Sequence, residues 1–208
     1  RRGNAEQGIP LAMNATRSIL DSFVETAGNA DCSDITHTDW TKKFSILKYL
    51  LSGKMFTCFR LADRWAPKAI EAAKKGLSPE AGQLPARCRN CAAEVIRSMR
   101  GSEAEMVTVA GLAGGLGLSG NACGALAAAI WKHTLARVRT KQYKYSLSDP
   151  ELDKILKAFY DATGFEMECR VITGKTFNSQ EEHGAFIEAG GCRRLIDTLV
   201  EAVSSKPS

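Results

Sequence analysis

The chain has 208 residues, of which 44% are hydrophobic and 25% are charged, and its formal net charge is +5. This composition is typical of one large or two small globular domains, and it argues against a disordered or fibrous protein. Because the basic residues are scattered and no apolar run reaches roughly 18 residues, we predict neither nucleic-acid binding nor a membrane span.

Three helices are predicted in the first part of the chain, each from apolar residues at helical spacing. They cover residues 10–27, 39–51 and 56–75. Pro10 suits the first turn of the first helix, and Thr38 or Asp39 can cap the second. Pro67 is expected to break the third helix, because proline removes a backbone hydrogen bond from a helix interior.

The second part of the chain also has helical spacing, which predicts helices over residues 85–99, 102–109, 121–139, 150–163 and 179–203. Asp149 precedes Pro150, the favoured order of a cap and a first helical residue. Gly190 and Gly191 interrupt the last segment, which therefore holds one or two helices. The best strand candidate, residues 168–173, is short. We predict an all-α fold, a compact multi-helix bundle with a glycine-rich loop.

Two stretches of the chain resemble each other. Residues 23–36 are FVETAGNADCSDIT and residues 159–173 are FYDATGFEMECRVIT, so each runs from an aromatic residue through a glycine to a cysteine. The next cysteine begins CFRLAD at Cys58 and CRRLID at Cys192. The same features in the same order predict a tandem duplication.

The first copy of this duplication is incomplete, because it has no counterpart of Cys91 and Cys123. We therefore predict two domains of unequal completeness. Residues 1–80 form a partial first repeat with Cys32 and Cys58, and residues 81–208 form a complete domain. The chain does not begin with Met, so we expect that a preceding segment, either a leading half-repeat or an export signal, was removed. The many cysteines favour the cytoplasm as the compartment.

A glycine-rich loop and the start of the helix that follows it form the segment GLAGGLGLSGNACGALAAAIW, residues 111–131. Glycine lets the backbone adopt positive φ angles and approach a partner closely. The glycines nearest the cysteine of this segment are Gly115, Gly117, Gly120 and Gly124. Cys123 is predicted in the first helical turn, where backbone N–H groups lower the pKa of a thiol. The alanines that follow form a smooth helix surface, through which a homodimer is plausible.

The same loop matches the G-x-G-x-x-G pattern of dinucleotide-binding folds. Such a site needs an acidic residue about 20 positions further on and an alternation of strands and helices. No acidic residue occurs between Asn121 and Ser148, and no such alternation follows. We therefore do not predict a nucleotide-binding fold.

Cysteine is the unusual residue of this chain, which contains Cys32, Cys58, Cys88, Cys91, Cys123, Cys169 and Cys192. An odd number in a chain of this size argues against a fold stapled by disulfides. Thiolates that bind a metal, or a thiol pair that cycles, fit better, although buried free cysteines also pack as small apolar residues. Cys88 and Cys91 form a C-x-x-C on a predicted helix, where Arg87 and Arg89 favour thiolates.

The order of the later cysteines resembles the C_GCAxxG_C_C family over roughly residues 85–203. Cys91 is followed by the loop and Gly120-Asn-Ala-Cys123-Gly-Ala, then by Cys169 and Cys192. Members of that family are small helical proteins described as redox-active, and a related cysteine-bearing module occurs in split-Soret cytochromes. The sequence departs from the family at Ala122 and at Ala128, where glycine is expected. The resemblance implies that these four cysteines form the functional site.

Four thiolates from distant parts of a chain can hold an iron–sulfur cluster, either [2Fe–2S] or [4Fe–4S], whose sulfurs the loop N–H groups can bind. We therefore expect an electron-transfer protein that works with a redox partner protein. Cys32, Cys58 and Cys88 form a possible second site.

Two other functions remain open. One is a thiol–disulfide oxidoreductase that uses Cys88 with Cys91, or Cys91 with Cys123. The other is a non-catalytic interaction domain stabilised by zinc, although only one C-x-x-C pair is present and structural zinc sites usually have two.

Overall fold

The computed structural model describes residues 5–78, 85, 88–140 and 149–204, and every regular element in these ranges is a helix. The predicted all-α fold is therefore confirmed. The helices are α1 (Ala5–Ala27), α2 (Cys32–Thr36), α3 (Lys43–Leu51), α4 (Lys54–Gly76), α5 (Cys91–Ser98), α6 (Glu103–Ala110), α7 (Gly124–Arg139), α8 (Pro150–Thr163), α9 (Cys169–Thr173), α10 (Gln180–Glu188) and α11 (Arg193–Ser204). Among the helices described, none is both long and apolar enough to cross a membrane.

Helices α1 and α4 form a long antiparallel pair. The rings of Phe23 and Trp65 meet edge to face at 4.9 Å near one end, and the Asn14 amide donates to the Gly76 carbonyl at 2.8 Å near the other. The predicted break at Pro67 is wrong, because α4 continues through this residue. α4 contacts α1 on both sides of Pro67, and these contacts keep the helix continuous although proline has no backbone N–H to donate.

The starts of the first helices also differ from the prediction. α1 begins at Ala5, so Pro10 lies inside the helix rather than in its first turn. α3 begins at Lys43, and Asp39 binds Lys42 and Thr41 instead of capping the helix. The five-residue helix α2 was not predicted, since so short a segment carries no periodic signal.

The core is formed where α5, α7, α8 and α11 pack together. Phe159 of α8 and Leu199 of α11 are fully buried there, together with Ile96 of α5. The alanines of α7, including Ala128 and Ala129, are buried in the same core. α5 and α11 of the same chain pack against this surface of α7. The homodimer stays a prediction.

Two predictions about the cysteine-bearing segments are wrong. Residues 168–173 form helix α9 rather than a strand, with Glu168 at the cap position. α5 begins at Cys91 rather than at residue 85, because the Asn90 side chain accepts a hydrogen bond from the Ala93 N–H at 2.8 Å and caps the helix there. The interruption between α10 and α11 at residues 190–191 is confirmed. The predicted domain boundary at residues 80 and 81 lies outside the described residues.

The glycine-rich loop contains a left-handed turn. Five consecutive residues, 114–118, have positive φ angles of 59°, 82°, 72°, 58° and 64°. Glycine occupies three of these positions, and Leu116 and Leu118 occupy the others, where a side chain is strained by roughly 1–2 kcal/mol each. Backbone hydrogen bonds of 2.8 Å from Gly117 N to Gly111 O and from Gly120 N to Gly114 O close the loop.

An ionic cluster ties together the helices on either side of this loop. Glu105 of α6 completes a capping box with Ser102 and accepts hydrogen bonds of 2.8 Å from Lys132 and Arg139 of α7. The Lys132 ammonium and the Ser102 N–H, with a smaller effect of Arg139, hold the pKa of Glu105 at about 2 against the opposing effect of burial. This ionic cluster fixes the separation between α6 and α7, which the glycine-rich loop must span.

The first prediction concerns Glu105→Gln, which retains the cap but removes the charge. We expect the free energy of unfolding to fall by about 1–2 kcal/mol at pH 7. The folded-state pKa lies below the ordinary value of 4.5, so the stabilisation is present above pH 4.5 and is lost as the pH falls toward 2. Urea unfolding of both proteins at several pH values measures this difference. Glu103→Gln, an exposed change in the same helical turn, is the control. If the difference in unfolding free energy between Glu105→Gln and the wild type did not depend on pH, the stabilising role of the Glu105 charge would be contradicted.

The second prediction compares two glycines that both have positive φ. A Cβ on Gly115 would lie 2.5 Å from the Ala122 carbonyl oxygen, whereas a Cβ on Gly164 would meet nothing within 4 Å. Gly164→Ala therefore costs only the backbone strain, about 1 kcal/mol. Gly115→Ala is expected to cost about 3 kcal/mol or more, because the loop must also move. If urea unfolding showed the same loss of unfolding free energy for both variants, the close approach of Gly115 to Ala122 would not contribute to stability.

Candidate cysteine site

Four cysteines lie at the beginnings of four helices. Cys91 is the first residue of α5, Cys123 is the N-cap of α7 and Cys169 is the first residue of α9. Cys192 immediately precedes α11, and its carbonyl accepts the Ile196 N–H at 3.0 Å, the first bond of that helix. Each sulfur is therefore next to the electropositive end of a helix.

Cys91 is in contact with the glycine-rich loop. Its side chain is buried, and the backbone N–H of Gly114 hydrogen-bonds to its sulfur. Burial raises the pKa of this thiol well above its ordinary value, and the hydrogen bond only partly opposes the effect. The sequence predicted loop N–H groups at the site but did not single out Gly114, since any of six glycines could have provided the donor.

Cys123 occupies the predicted place, but the predicted effect on its pKa is wrong. The N–H groups of Ala125 and Leu126 lie near its sulfur and lower the pKa of the thiol, as expected at a helix N-terminus, although the sulfur does not cap the helix by a hydrogen bond. Burial is the larger effect, however, and it raises the pKa of the thiol above its ordinary value. The helix end therefore reduces the energetic cost of a buried thiolate without removing it.

The glycine-rich loop also positions Cys169. The Cys169 N–H donates to the Ala122 carbonyl and the Arg170 N–H to the Gly120 carbonyl, both at 3.2 Å. These bonds attach the first turn of α9 to the residues just before Cys123. Burial, and then the charge of Cys123, raise the pKa of Cys169 to about 11, while the Thr173 hydroxyl lowers it slightly.

The four thiols affect one another's pKa values, so they lie in the same part of the fold. The pKa of Cys91 is raised first by burial and then by Cys123, Cys192 and Cys169 in turn. The pKa of Cys192 is raised to about 12 by burial and then by Cys169 and Cys123. Within this group a single thiolate is costly, and several thiolates would repel one another unless a positive group lies between them.

The donor set matches that of an iron–sulfur cluster, because four cysteine thiolates are the usual ligands of both [2Fe–2S] and [4Fe–4S] centres. In the parts of the chain that the structure describes, no three His, Cys, Asp or Glu residues are arranged to hold a single metal ion. A lone zinc ion requires sulfurs about 2.3 Å from one point. The match to an iron–sulfur cluster is therefore one of donor type, which a four-cysteine zinc site would share.

The remaining three cysteines do not join this group. The Cys88 sulfur lies 3.8 Å from the Met13 sulfur and 3.5 Å from the Gln180 carbonyl, on the side of α1 and α10. Its pKa is raised to about 11 by burial and by two glutamates rather than by another cysteine. Cys32 and Cys58 lie in the α2–α4 region with Tyr49, so Cys88 does not complete a second site with them.

The third prediction concerns alkylation of the metal-free, reduced protein. A pKa near 11 leaves Cys169 with about 100-fold less thiolate than an ordinary thiol of pKa 9, and burial slows access further. We expect iodoacetamide at pH 7 to modify exposed Cys32 first and the four site cysteines at least about 100-fold more slowly. Mass spectrometry of timed digests measures this order, and a sample unfolded in guanidinium is the control. Labelling of Cys91 as fast as that of Cys32 would contradict the buried site.

A sequence comparison matches the family described as "Putative redox-active protein (C_GCAxxG_C_C)" to residues 86–205, more than half of the chain. The matched region contains all four cysteines of the site. No curated protein and no solved structure is similar enough to the chain to give a match.

Proposed function

Because the chain belongs to the C_GCAxxG_C_C family of redox-active proteins, we propose that its four grouped cysteines hold an iron–sulfur cluster and that the protein transfers electrons. The ligands in this proposal are Cys91, Cys123, Cys169 and Cys192. The observation that carries it is that three buried cysteines and the half-buried Cys192, whose thiols affect one another's pKa values, stand at the starts of four helices. A cluster bound there would supply one-electron chemistry.

The charge balance of the site supports this proposal. Four buried thiolates without a counter-charge are unfavourable, as the raised pKa values of Cys91, Cys169 and Cys192 indicate. Iron ions would provide the missing positive charge, and the helix N-termini would stabilise the net negative charge that remains. The protein thus provides thiols that stay protonated until a cationic group replaces their protons.

Several donors of the chain are placed to adjust the site. The N–H groups of Gly114, Ala125 and Leu126 lie near cysteine sulfurs and lower the pKa values of those thiols. The Thr173 hydroxyl donates to the Cys169 carbonyl. Hydrogen bonds to ligating sulfurs stabilise the more negative, reduced state of a cluster and raise its reduction potential. The glycine-rich loop therefore positions two of the cysteines and supplies one of the donors.

The surface beside Cys192 is the most accessible route for electrons. Cys192 is the only half-buried residue of the four, and the others are buried. The exposed side chains of Arg193 and Arg194 directly follow it, and Arg170, which is half exposed and paired with Glu168, follows Cys169. Basic side chains next to the site favour a redox partner protein with an acidic docking surface.

A thiol–disulfide oxidoreductase that uses Cys91 and Cys123 is the second candidate. Among the thiols, Cys123 has the largest effect on the pKa of Cys91, which favours this pair over the others. The C-x-x-C pair of Cys88 and Cys91 is not favoured, because the Cys88 sulfur contacts Met13 and Gln180 instead.

The fourth prediction tests the cluster against the dithiol. Protein purified without oxygen, or reconstituted with ferrous iron and sulfide, is expected to contain iron and acid-labile sulfide in equal amounts and to absorb visible light. Cys123→Ser should lose both, because serine caps α7 well but is a poor cluster ligand.

Cys88→Ser is the matched control, since it removes a buried cysteine outside the group and should leave iron and sulfide unchanged. Absence of iron and sulfide from the wild-type protein, with two fewer free thiols after oxidation, would favour the dithiol. Retention of iron and sulfide by Cys123→Ser would contradict the ligand assignment.

A further inference from the structure

The Lys54 ammonium ties the end of α2, which carries Cys32, to the start of α4, which carries Cys58. The Lys54 ammonium, in the first turn of α4, donates to the Thr36 carbonyl at 2.7 Å and thereby holds the end of α2 against α4. Cys32 lies one helical turn before Thr36, and Cys58 lies one turn after Lys54. Cys32 and Cys58 therefore each lie one helical turn away from the point at which Lys54 joins α2 to α4.

Tyr49 of α3 contacts this pair. Its hydroxyl lies 3.2 Å from the Cys58 sulfur, and its ring packs edge to face on Trp40 at a centroid distance of 5.0 Å. The pKa of Tyr49 is raised first by the hydrogen bond with Cys58, then by burial and by the charges of Cys58 and Cys32. Both sulfurs are therefore close enough to the same phenol to affect its ionisation.

The local backbone around Cys32 matches that around Cys169. Each cysteine is the first residue of a five-residue helix, and a threonine four positions later donates to its carbonyl, at 2.6 Å from Thr36 and at 2.7 Å from Thr173. The next residue has positive φ in both cases, at His37 and at Gly174. The backbone that presents Cys169 to Cys192 therefore has a counterpart that presents Cys32.

The two settings differ in the number and exposure of the cysteines. Cys32 is exposed and Cys58 is half buried, whereas Cys169 is buried. The other five cysteines of the chain lie elsewhere, four in the grouped site and Cys88 beside Met13. Two thiols are too few for the usual four-cysteine ligation of a cluster, but they suffice for a disulfide.

We propose that Cys32 and Cys58 form a second, solvent-accessible dithiol site, which exchanges reversibly with small disulfide compounds. Exposed Cys32 attacks the external disulfide, forms a mixed disulfide and releases one thiol. Cys58, hydrogen-bonded to Tyr49, then attacks the Cys32 sulfur, forms the internal disulfide and releases the second thiol. Two electrons pass to the external disulfide, and the two protons of the cysteines end on the released thiols. This site does not depend on the cluster.

The fifth prediction uses the full chain and mixtures of oxidised and reduced glutathione, followed by alkylation and mass spectrometry of the digest. We expect a peptide that links Cys32 to Cys58, formed in one two-electron transition and reversed by excess reduced glutathione. A stable glutathione adduct on Cys32 with unmodified Cys58 at every ratio would overturn the proposal. So would a bond from Cys32 to any other cysteine.

Variants separate the steps of this exchange. Cys58→Ser should trap glutathione on Cys32, and Cys32→Ser should leave Cys58 reduced. Cys88→Ser is the control and should form the disulfide at the wild-type rate. Iron and sulfide content should be unchanged in the first two variants, so failure here is distinguishable from failure of the cluster proposal.

Tyr49→Phe tests the role of the hydroxyl. Phenylalanine keeps the ring packing on Trp40 but removes the hydrogen bond to Cys58, so the second step is expected to slow about tenfold while circular dichroism is unchanged. Accumulation of the mixed disulfide on Cys32 during the reaction would show this slower step directly. An unchanged rate would exclude a part for Tyr49 in the exchange.

Discussion

The central constraint of this protein is the placement of four cysteines, three buried and one half buried, at four helix N-termini. Two effects oppose each other at this point. Burial disfavours the charged thiolate, as the pKa of Cys192 near 12 indicates, whereas the backbone N–H groups beside Cys91 and Cys123 favour it. Burial is the stronger effect in the protein as described, so it favours the neutral thiols. The thiols therefore lose their protons readily only when the resulting negative charge is balanced by a metal ion or eliminated by a disulfide bond.

The glycine-rich loop makes this placement possible. Its left-handed turn brings Gly114 to the Cys91 sulfur, and its last residues accept the N–H groups of Cys169 and Arg170. The loop thus touches cysteines that are far apart in the sequence and joins them to Cys123 at the start of α7. Because Glu105 ties α6 to α7 across the loop, movement of either helix would change the distances among the sulfurs.

Much of the fold could be predicted from local signals. The capped helices α6 and α8 and the interruption between α10 and α11 were predicted from caps and glycines, and the structure confirms them. Helix α9 was predicted as a strand, because five residues that include Val171 and Ile172 have β propensity but no helical period. The continuity of α4 through Pro67 depends on packing against α1, which no local pattern contains.

The site was predictable in composition but not in its energetics. The four cysteines are predicted from their order and the family resemblance, and in the structure the pKa values of these thiols are affected by one another. The placement of Cys88 was predicted incorrectly, because the cap at Asn90 was overlooked and the helix was started too early. The pKa direction at Cys123 was also wrong, since the degree of burial depends on the whole core. The duplication stays a prediction, and the matching backbone at Cys32 and Cys169 is consistent with it.

Iron K-edge X-ray absorption of the protein purified without oxygen tests the central claim most directly. An iron–sulfur cluster on the four cysteines predicts iron with only sulfur in its first shell and a second iron at short distance. Iron bound by nitrogen or oxygen, or single iron atoms without an iron neighbour, would contradict the account.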